Sequence, residues 1–334
     1  MASQRRANQS DIAERLGVSV STVSRALANE IGISDAVRRD VQRMARALGY
    51  KSKHSNGVAA GDKRAVALVP LGSATSGLSG FYFGIVEGMR AQAAEMGMGL
   101  DVRLVNESVV TLEMIKKQLL LTNSEGVLLA GIDAWDGLVQ WSAEADCPVV
   151  LVNGADPKMQ ISGAAPANFY GAFMATQRLI DAGHKRILHY GQNHRATLLQ
   201  RQRGFQAAIA ANPGVTGKIV YGSECRTEQL LADVLAGVHD VTALFSWNDI
   251  AAVEMLGGLY APDSPLPKGF SIIGFDDLPL AGIATPRLST VGVDREAIGR
   301  SAVRLLMQHM DGERAVQQVE TGVTTVIGET VFSI

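Results

Sequence analysis

A run of hydroxyl side chains followed by an arginine lies close to the start of the sequence. Four hydroxyl residues and one arginine fall within seven positions: Ser19, Ser21, Thr22, Ser24 and Arg25. In proteins that bind nucleic acids, hydroxyls hold phosphate oxygens, and an arginine can make a bidentate contact to guanine. If residues 19–25 are helical, their chemistry is therefore suited to a polyanion.

Catalysis is the alternative to weigh, and the adjacent carboxylates Asp276 and Asp277 are its best candidates. Two neighbouring acids could do acid–base work. At the end of a strand, however, such residues more often cap a turn or hold a polar ligand. The sequence contains no phosphate-binding loop, dinucleotide fingerprint, zinc-protease motif or serine-hydrolase elbow, so an enzyme is the lesser hypothesis.

The sequence does not favour a metal or a cofactor. His184, His189 and His194 are five residues apart, so they would not share one face of a helix. Cys147 and Cys225 stand apart from any Cys/His cluster. Two cysteines are also too few for a disulfide framework, which favours a reducing compartment. We therefore expect no metal and no cofactor.

Three short helical patterns position the hydroxyl run. Asn8 and Asp11 form a capping box in front of the first helix. Ser19 can cap the second helix, and Ser34 can cap the third. Because the first two helices are joined by a three-residue turn that contains glycine, residues 1–50 are predicted to form an all-α helix-turn-helix head.

The rest of the chain has a different pattern. Residues 51–64 are small and polar, and we predict a linker there. The candidate strands are 65–70, 100–104, 126–130, 149–153, 186–190, 243–246 and 271–275. The candidate helices are 84–96, 110–122, 135–145, 170–182, 196–211, 249–259 and 295–310. This alternation predicts a doubly wound α/β body of parallel sheets over residues 65–334, and its length suits two lobes better than one.

The charge distribution separates the same two parts. Residues 1–64 carry twelve Lys and Arg against six Asp and Glu, although the whole chain of 334 residues has a net charge of −2. A basic head on an acidic body indicates a polyanion-binding module, but a solvated basic face would also account for the charge alone. The first 25 residues lack the apolar core of a signal peptide, and no stretch is long enough to span a bilayer. We therefore expect a cytoplasmic protein with no membrane partner.

Sequence matches along nearly the whole chain point to one family. The matching segments are 11–13, 17–27, 34, 48–50, 171–172, 175, 179–180, 183–187, 201–205, 248–249, 274–277, 288–291 and 299–300. In this order they resemble the lactose-repressor/galactose-repressor family of bacterial transcription regulators. The resemblance implies a DNA-binding head and a body of two α/β lobes with the periplasmic-binding-protein type I fold, closing around a small polar ligand.

The resemblance also assigns roles within the head. Side chains that face base edges in the major groove would be Val20, Ser21 and Arg25. Phosphate contacts would come from Ser19, Thr22 and Ser24. For Val20, packing against the first helix is an equally good interpretation.

The linker departs from the family pattern. Family members usually have Pro-Asn after the tyrosine, then a short hinge helix whose leucine enters the minor groove; here Lys-Ser-Lys follows Tyr50. Gly57 disfavours a helix by about 1 kcal/mol. Val58 or Ala59 would be a smaller wedge than leucine. The sequence leaves open whether the hinge forms, and Val58 is its candidate for a DNA contact.

For the body, the resemblance carries over Arg201, Asn248 and Asp276 as effector contacts. Ligands of open α/β sheets lie beyond the carboxyl ends of the strands. On that ground Phe81 and Trp247 are added as side chains that could stack on a ring.

Several of these side chains have a second interpretation. Phe83 and Trp247 can fill the core, and Asn248 can cap the helix that follows, which is the role we assign to Asp249. Where the family has an Asp-Asn pair, this chain has alanine before Asn168, which makes one side of the pocket more apolar. The aromatic and polar set indicates a sugar or a sugar acid.

These observations predict a ligand-responsive transcriptional regulator, most simply a repressor. It would bind a palindromic operator as a homodimer, because one small head buries too little surface for operator-level affinity. The effector would close the lobes and change how the heads are held. A solute-binding protein of a transporter is the alternative, opposed by the presence of the head.

Overall fold

A computed structural model of the chain describes residues 8–27, 33–34, 37, 40–41, 44, 63–71, 80–106, 110–266 and 269–334. The chain divides into two compact units, residues 1–63 and 64–334. The first unit contains the predicted head and the second the predicted α/β body. No helix of the described residues is long and apolar enough to cross a membrane.

Two helices of the head are described, and the caps predicted for them are present. Helix α1 spans Gln9–Leu16 and α2 spans Val20–Leu27. The Asn8 side chain accepts the amide of Asp11, while the Asp11 carboxylate accepts the amide of Asn8. This reciprocal pair is the predicted capping box. Gly17 ends α1 with φ 64°, a backbone conformation that glycine adopts without strain.

A small apolar core holds the head together. Residues 37, 40, 41 and 44 fall within the predicted third helix, and all are helical. The buried side chains of this core are Ile12, Ala13, Val23, Ala26 and Val41. Since Val23 and Ala26 belong to α2, one face of α2 is anchored in the core and the opposite face is left for contact with a partner.

The first lobe of the body is a parallel sheet with helices on both faces. Its strands are β1 Arg64–Pro70, β2 Gly99–Val105, β3 Gly126–Ala130, β4 Val149–Val152, β5 Ser162–Pro166 and β11 Gln318–Thr321. Its helices are α3 Phe81–Glu95, α4 Leu112–Thr122, α5 Asp136–Ala145 and α11 Arg295–Met310. The strand order is β11-β5-β4-β3-β1-β2. Strands β3 and β4 are buried throughout, as central strands between two helical layers must be.

The second lobe repeats this architecture with four strands. They are β6 Arg186–Gly191, β7 Thr216–Tyr221, β8 Ala243–Ser246 and β9 Ser271–Ile273, in the order β7-β6-β8-β9. The helices are α6 Asn168–Asp181, α7 Ala196–Ala211, α8 Thr227–Leu235, α9 Asp249–Leu259 and α10 Pro279–Ile283. All strand pairs of this sheet are parallel.

The described chain passes between the lobes at three places. These crossings lie between β5 and α6, between β10 (Thr290–Val293) and α11, and between β11 and β12 (Val323–Val326). Strands β10 and β12 pair with each other in antiparallel orientation. The two-lobed α/β prediction is confirmed, but the expectation of parallel pairing does not hold for this pair beside the crossings.

The predicted strands and helices of the body are all present, with ends displaced by at most three residues. Sequence patterns missed β5, β7, β10, β11, β12, α8 and α10. Strand β5 reads Ser-Gly-Ala-Ala-Pro and has little β propensity of its own. Strand β7 lies at the edge of its sheet and is partly exposed, so it lacks the continuous apolar run that identified the central strands.

Glycines bring α3 and α11 into backbone contact. A Cβ atom at Gly88 would lie 2.1 Å from the carbonyl oxygen of Glu296. One at Gly299 would lie 2.1 Å from the carbonyl oxygen of Ile85. The backbones of the two helices therefore pack directly against each other, and this contact includes the first turn of α11.

Candidate DNA-binding surface and effector site

The exposed face of α2 carries the predicted DNA contacts. Ser21, Ser24 and Arg25 are exposed, whereas Val23 and Ala26 are fully buried. Residues three and four positions apart lie on the same side of a helix, so the three exposed side chains share one face. The structure thus brings hydroxyl groups and a guanidinium together on a surface that the head core does not cover.

Val20 and Ser19 are also placed at this surface. Val20 is 44% exposed, so the interpretation that it packs in the core is wrong, and contact with a partner stays a prediction. The Ser19 hydroxyl accepts the Thr22 amide at 3.0 Å and lies 2.8 Å from the Thr22 hydroxyl. Ser19 therefore caps α2 as predicted. The linker candidate Val58 lies outside the described residues.

Arg201 is the centre of the candidate effector site. It lies in α7 and is buried, with 4% of its surface exposed. Its Nε donates to Asn168 Oδ1 at 2.8 Å, and Nη2 donates to Asp276 Oδ1 at 3.1 Å. Nη1 donates to the carbonyl of Trp247, and the guanidinium lies 3.6 Å from the centre of the Phe275 ring. These four partners come from three different segments of the chain, so the guanidinium is fixed in one orientation.

Asp276 is the acidic partner in this site. Burial raises the pKa of its carboxyl to about 6, while Arg201 and Arg295 oppose that shift by favouring the anion. Burial also lowers the pKa of Arg201, and the Asp276 carboxylate opposes that shift. The pair is thus a buried charge pair in which each charge compensates the desolvation of the other.

Asn248 caps the helix as one interpretation predicted, whereas Asp249 does not, and an effector contact of Asn248 stays a prediction. Asn248 caps α9, since its side chain accepts the Ala251 amide at 2.9 Å. The assignment of Asp249 as a cap of the same helix is wrong. Its carboxylate accepts the Leu278 amide at 2.8 Å and the Thr290 hydroxyl, so it joins α9 to two later segments. Burial raises the pKa of Asp249 well above its usual range, and nearby Asp276 raises it further.

Two of the aromatic candidates pack against a core, and the third is exposed. Phe81 is half-buried, packs against the main core and meets the Tyr82 ring edge-on at 5.3 Å. Trp247 is half-buried against the core of the second lobe. Phe83 is 68% exposed, so it does not fill the core. Stacking of Phe81 or Trp247 on a ligand stays a prediction.

Further polar groups of the site were missed by sequence reasoning. Asn153 Oδ1, Arg195 Nε, Thr197 Oγ1 and Ser246 Oγ are buried and have no hydrogen-bond partner among the described residues. Asn153 and Ser246 lie at the carboxyl ends of β4 and β8, and Arg195 and Thr197 lie at the start of α7, which follows β6. Because a buried polar atom without a partner is unfavourable, these four atoms are available to form hydrogen bonds with a bound molecule. Their position after strand ends was visible in the sequence, but their lack of partners was not.

The lobes are hydrogen-bonded to each other at this edge of the sheets. The Asp133 carboxylate accepts the Ala155 amide in its own lobe at 2.9 Å. Its second oxygen accepts the Ala196 amide, at the start of α7 in the other lobe, at 2.7 Å. Arg195 also donates to the carbonyl of Asn153 across the lobes. The two lobes are therefore bonded to each other through residues at the carboxyl ends of their strands.

Two of the three histidines that the sequence singles out, His184 and His189, are buried in the second lobe. His184 bonds to the hydroxyls of Thr242 and Ser271, and His189 stacks on Phe245 with ring centres 4.6 Å apart. Burial lowers the pKa of His189 to about 4. Within the part of the chain that the structure describes, no group of three or more His, Cys, Asp or Glu side chains could hold a metal ion.

Family models match both parts of the chain. The model for bacterial regulatory proteins of the lacI family matches residues 10–53. The model for a periplasmic binding protein-like domain matches residues 176–331. The first match contains α2, and the second contains Arg201, Asn248 and Asp276.

Known proteins are similar over nearly the full length. The transcriptional regulator CelR of Thermobifida fusca is 30% identical over 322 residues, which cover 94% of each chain. The repressor CytR of Escherichia coli strain K12 is 28% identical and covers 92% of this chain and 91% of its own. A solved complex of CelR with cellobiose has a TM-score of 0.69 at 26% identity, covering 97% of this chain and 100% of that one. The lac repressor dimer bound to operator, at 22% identity and a TM-score of 0.68, covers 98% and 100% and has the same fold.

Proposed function

Because the chain belongs to the lacI family of bacterial regulatory proteins, we propose that it represses transcription by binding a palindromic operator as a homodimer. A small polar metabolite bound between the lobes of the body changes its affinity for DNA. The related CelR has been solved with cellobiose, which makes a sugar a reasonable class of effector. A repressor of this kind acts in the cytoplasm, where its operator DNA lies. Its action requires no catalytic turnover.

The observation that carries the DNA-binding role is the exposed face of α2. A short helix that is anchored by Val23 and Ala26 presents Ser21, Ser24 and Arg25 to a partner. In a helix-turn-helix this is the helix that enters the major groove, where arginine can read guanine and hydroxyls can hold phosphates. Two heads related by two-fold symmetry would read the two halves of a palindrome.

The effector role is supported by the chemistry of the cleft. Arg201 supplies donors, Asp276 supplies acceptors, and the unpartnered atoms of Asn153, Arg195 and Thr197 add both kinds. Hydroxyl groups of a sugar can donate and accept, and so can match such a mixed set. Two arginines in the cleft are also suited to the carboxylate of a sugar acid.

The test is fluorescence anisotropy of the full chain on DNA from upstream of its own gene. The measurement is repeated with cellobiose and with a panel of sugars, sugar acids and nucleobases. A tenfold change in apparent affinity, about 1.4 kcal/mol of coupling, would identify both the effector and the sign of its action. Binding that no compound shifts would support the head and contradict the proposed effector classes.

A truncation provides the matched control. A chain that lacks residues 1–62 retains the complete second unit, residues 64–334. It should still bind the effector but lose the operator. If it kept operator affinity, the assignment of DNA binding to the head would be wrong.

A further inference from the structure

One backbone turn in the cleft has a conformation that L-residues rarely adopt. Asp276 has φ 113° and Asp277 has φ 50°. A turn of this kind persists only where surrounding groups hold it. On one side the Asp276 amide donates to the carbonyl of Val291 in β10, at 2.8 Å. This hydrogen bond restrains the Asp276 amide. The carbonyl groups of Asp276 and Asp277 are restrained by other partners.

Arg295 binds the two carbonyl groups. Its Nη1 donates to the carbonyl oxygen of Asp276 at 2.6 Å and to that of Asp277 at 3.1 Å. One nitrogen thus donates to two successive carbonyl groups. A guanidinium can do this because its donors are fixed in one plane, whereas an ammonium offers a rotating point charge.

The other end of Arg295 is fixed by the first lobe. Arg295 is the first residue of α11, and the next residue, Glu296, is packed against Gly88 of α3. A Cβ at Gly84, one turn earlier in α3, would lie 3.0 Å from the Cβ of Arg295 and 3.3 Å from its Nε. The Cβ of Arg295 therefore lies at the close contact between α3 and α11, and its guanidinium binds the turn that contains Asp276.

We propose that Arg295 is the positioning residue of the effector site. It holds the 276–277 turn so that the Asp276 carboxylate lies within hydrogen-bonding distance of Arg201, and it connects this turn to α3 and α11 of the first lobe. Arg295 acts through Asp276 and does not itself contact the effector. The name effector site rests on the proposed function, but the contacts of Arg295 do not.

The first test measures hydrogen–deuterium exchange in the full chain without ligand. Arg295→Met keeps the length of the side chain and removes its donors. Amides at 276–278 should then exchange at least about tenfold faster, while those of the sheets keep their protection. Arg304→Met is the matched control, because Arg304 is exposed on the same helix, and it should leave residues 276–278 unchanged.

The second test separates positioning from simple support. The charged groups around the Asp276 carboxyl are Arg201, Arg295 and the neighbouring acid Asp249. Since Arg295 favours the anion, Arg295→Met should raise the pKa of Asp276 further above its ordinary value. Arg295→Lys should restore the pKa in part but not the exchange protection, because lysine keeps the charge and loses the planar donors. Carbon-13 NMR of the aspartate carboxyls, assigned with Asp276→Asn, measures this pKa.

Local acceleration of exchange together with a raised pKa would support the proposal. Unchanged exchange at 276–278 in a folded Arg295→Met chain would overturn it, and so would acceleration spread evenly over the body. If Arg295→Met does not fold, the same two measurements, exchange at 276–278 and the pKa of Asp276, are made on Arg295→Lys, and unchanged exchange there would overturn the proposal. Neither measurement uses DNA or an effector, so failure here would leave the repressor proposal standing, and failure of that proposal would leave this one standing.

Discussion

The contact between α3 and α11 makes a quantitative prediction about one methyl group. In Gly88→Ala the new Cβ would lie 2.1 Å from the carbonyl oxygen of Glu296, about 1.3 Å closer than an ordinary contact. The obstacle is backbone, so relief requires the helices to separate. Overpacking of this kind costs about 3 kcal/mol at the upper end of its usual range. Alanine regains about 1 kcal/mol through its higher helix propensity, which leaves a net loss of about 2 kcal/mol.

Gly257→Ala is the matched control for this substitution. Gly257 also lies in a helix, α9, but a Cβ there would have no neighbour within 4 Å. The control should therefore gain up to about 1 kcal/mol, so the two variants should differ by about 3 kcal/mol. Urea-induced unfolding followed by circular dichroism measures both. If Gly88→Ala is as stable as wild type, or gains stability like Gly257→Ala, then the argument from backbone contact is refuted.

Three further predictions concern the DNA-binding surface and the effector site. Arg25→Ala should weaken binding to a specific operator by about 1–3 kcal/mol and affect non-specific DNA only slightly; equal loss on both DNAs would make Arg25 a phosphate contact instead. Ser19→Ala removes the cap of α2 and should destabilise the head by about 1 kcal/mol in thermal unfolding, whereas Ser24→Ala should not. Relative to Asp276→Asn, the wild-type chain should gain about 1.4 kcal/mol of unfolding free energy between about pH 7.5 and about pH 5. The sign follows because a carboxyl whose pKa is raised to about 6 is protonated in the folded chain before it is protonated in the unfolded one; a gain on raising the pH would contradict it.

The central strands of the body could be predicted from the sequence because of their burial. Strands β3 and β4 are buried throughout and read as continuous runs of valine, leucine and alanine. The short strands beside the crossings, β10 and β12, have no such signal, since they form through pairing with each other over a long separation. Their antiparallel orientation depends on the path of the chain between the two strands, and local sequence patterns carry no information about that path.

The site could be predicted only in part. Arg201 and Asp276 were indicated by resemblance to a family, and the structure brings them within 3.1 Å of each other. The role of Asp249 was missed because its partners, Leu278 and Thr290, are 29 and 41 residues away in sequence. Arg195 was missed for a similar reason, since the burial of its Nε and the absence of a described partner become visible only in three dimensions.

The first crossing between the lobes also helps to hold Arg201 in place. Asn168 stands where the chain leaves β5, its amide nitrogen donates to the carbonyl of Pro166 at 3.0 Å, and its oxygen accepts Arg201 Nε. If the backbone at 166–168 changes when one lobe rotates against the other, Asn168 turns with it. The angle between the lobes and the direction of the Arg201 guanidinium are then coupled through Asn168. On the proposed function, substitutions at this crossing should consequently change which ligands are preferred as well as how tightly they are held.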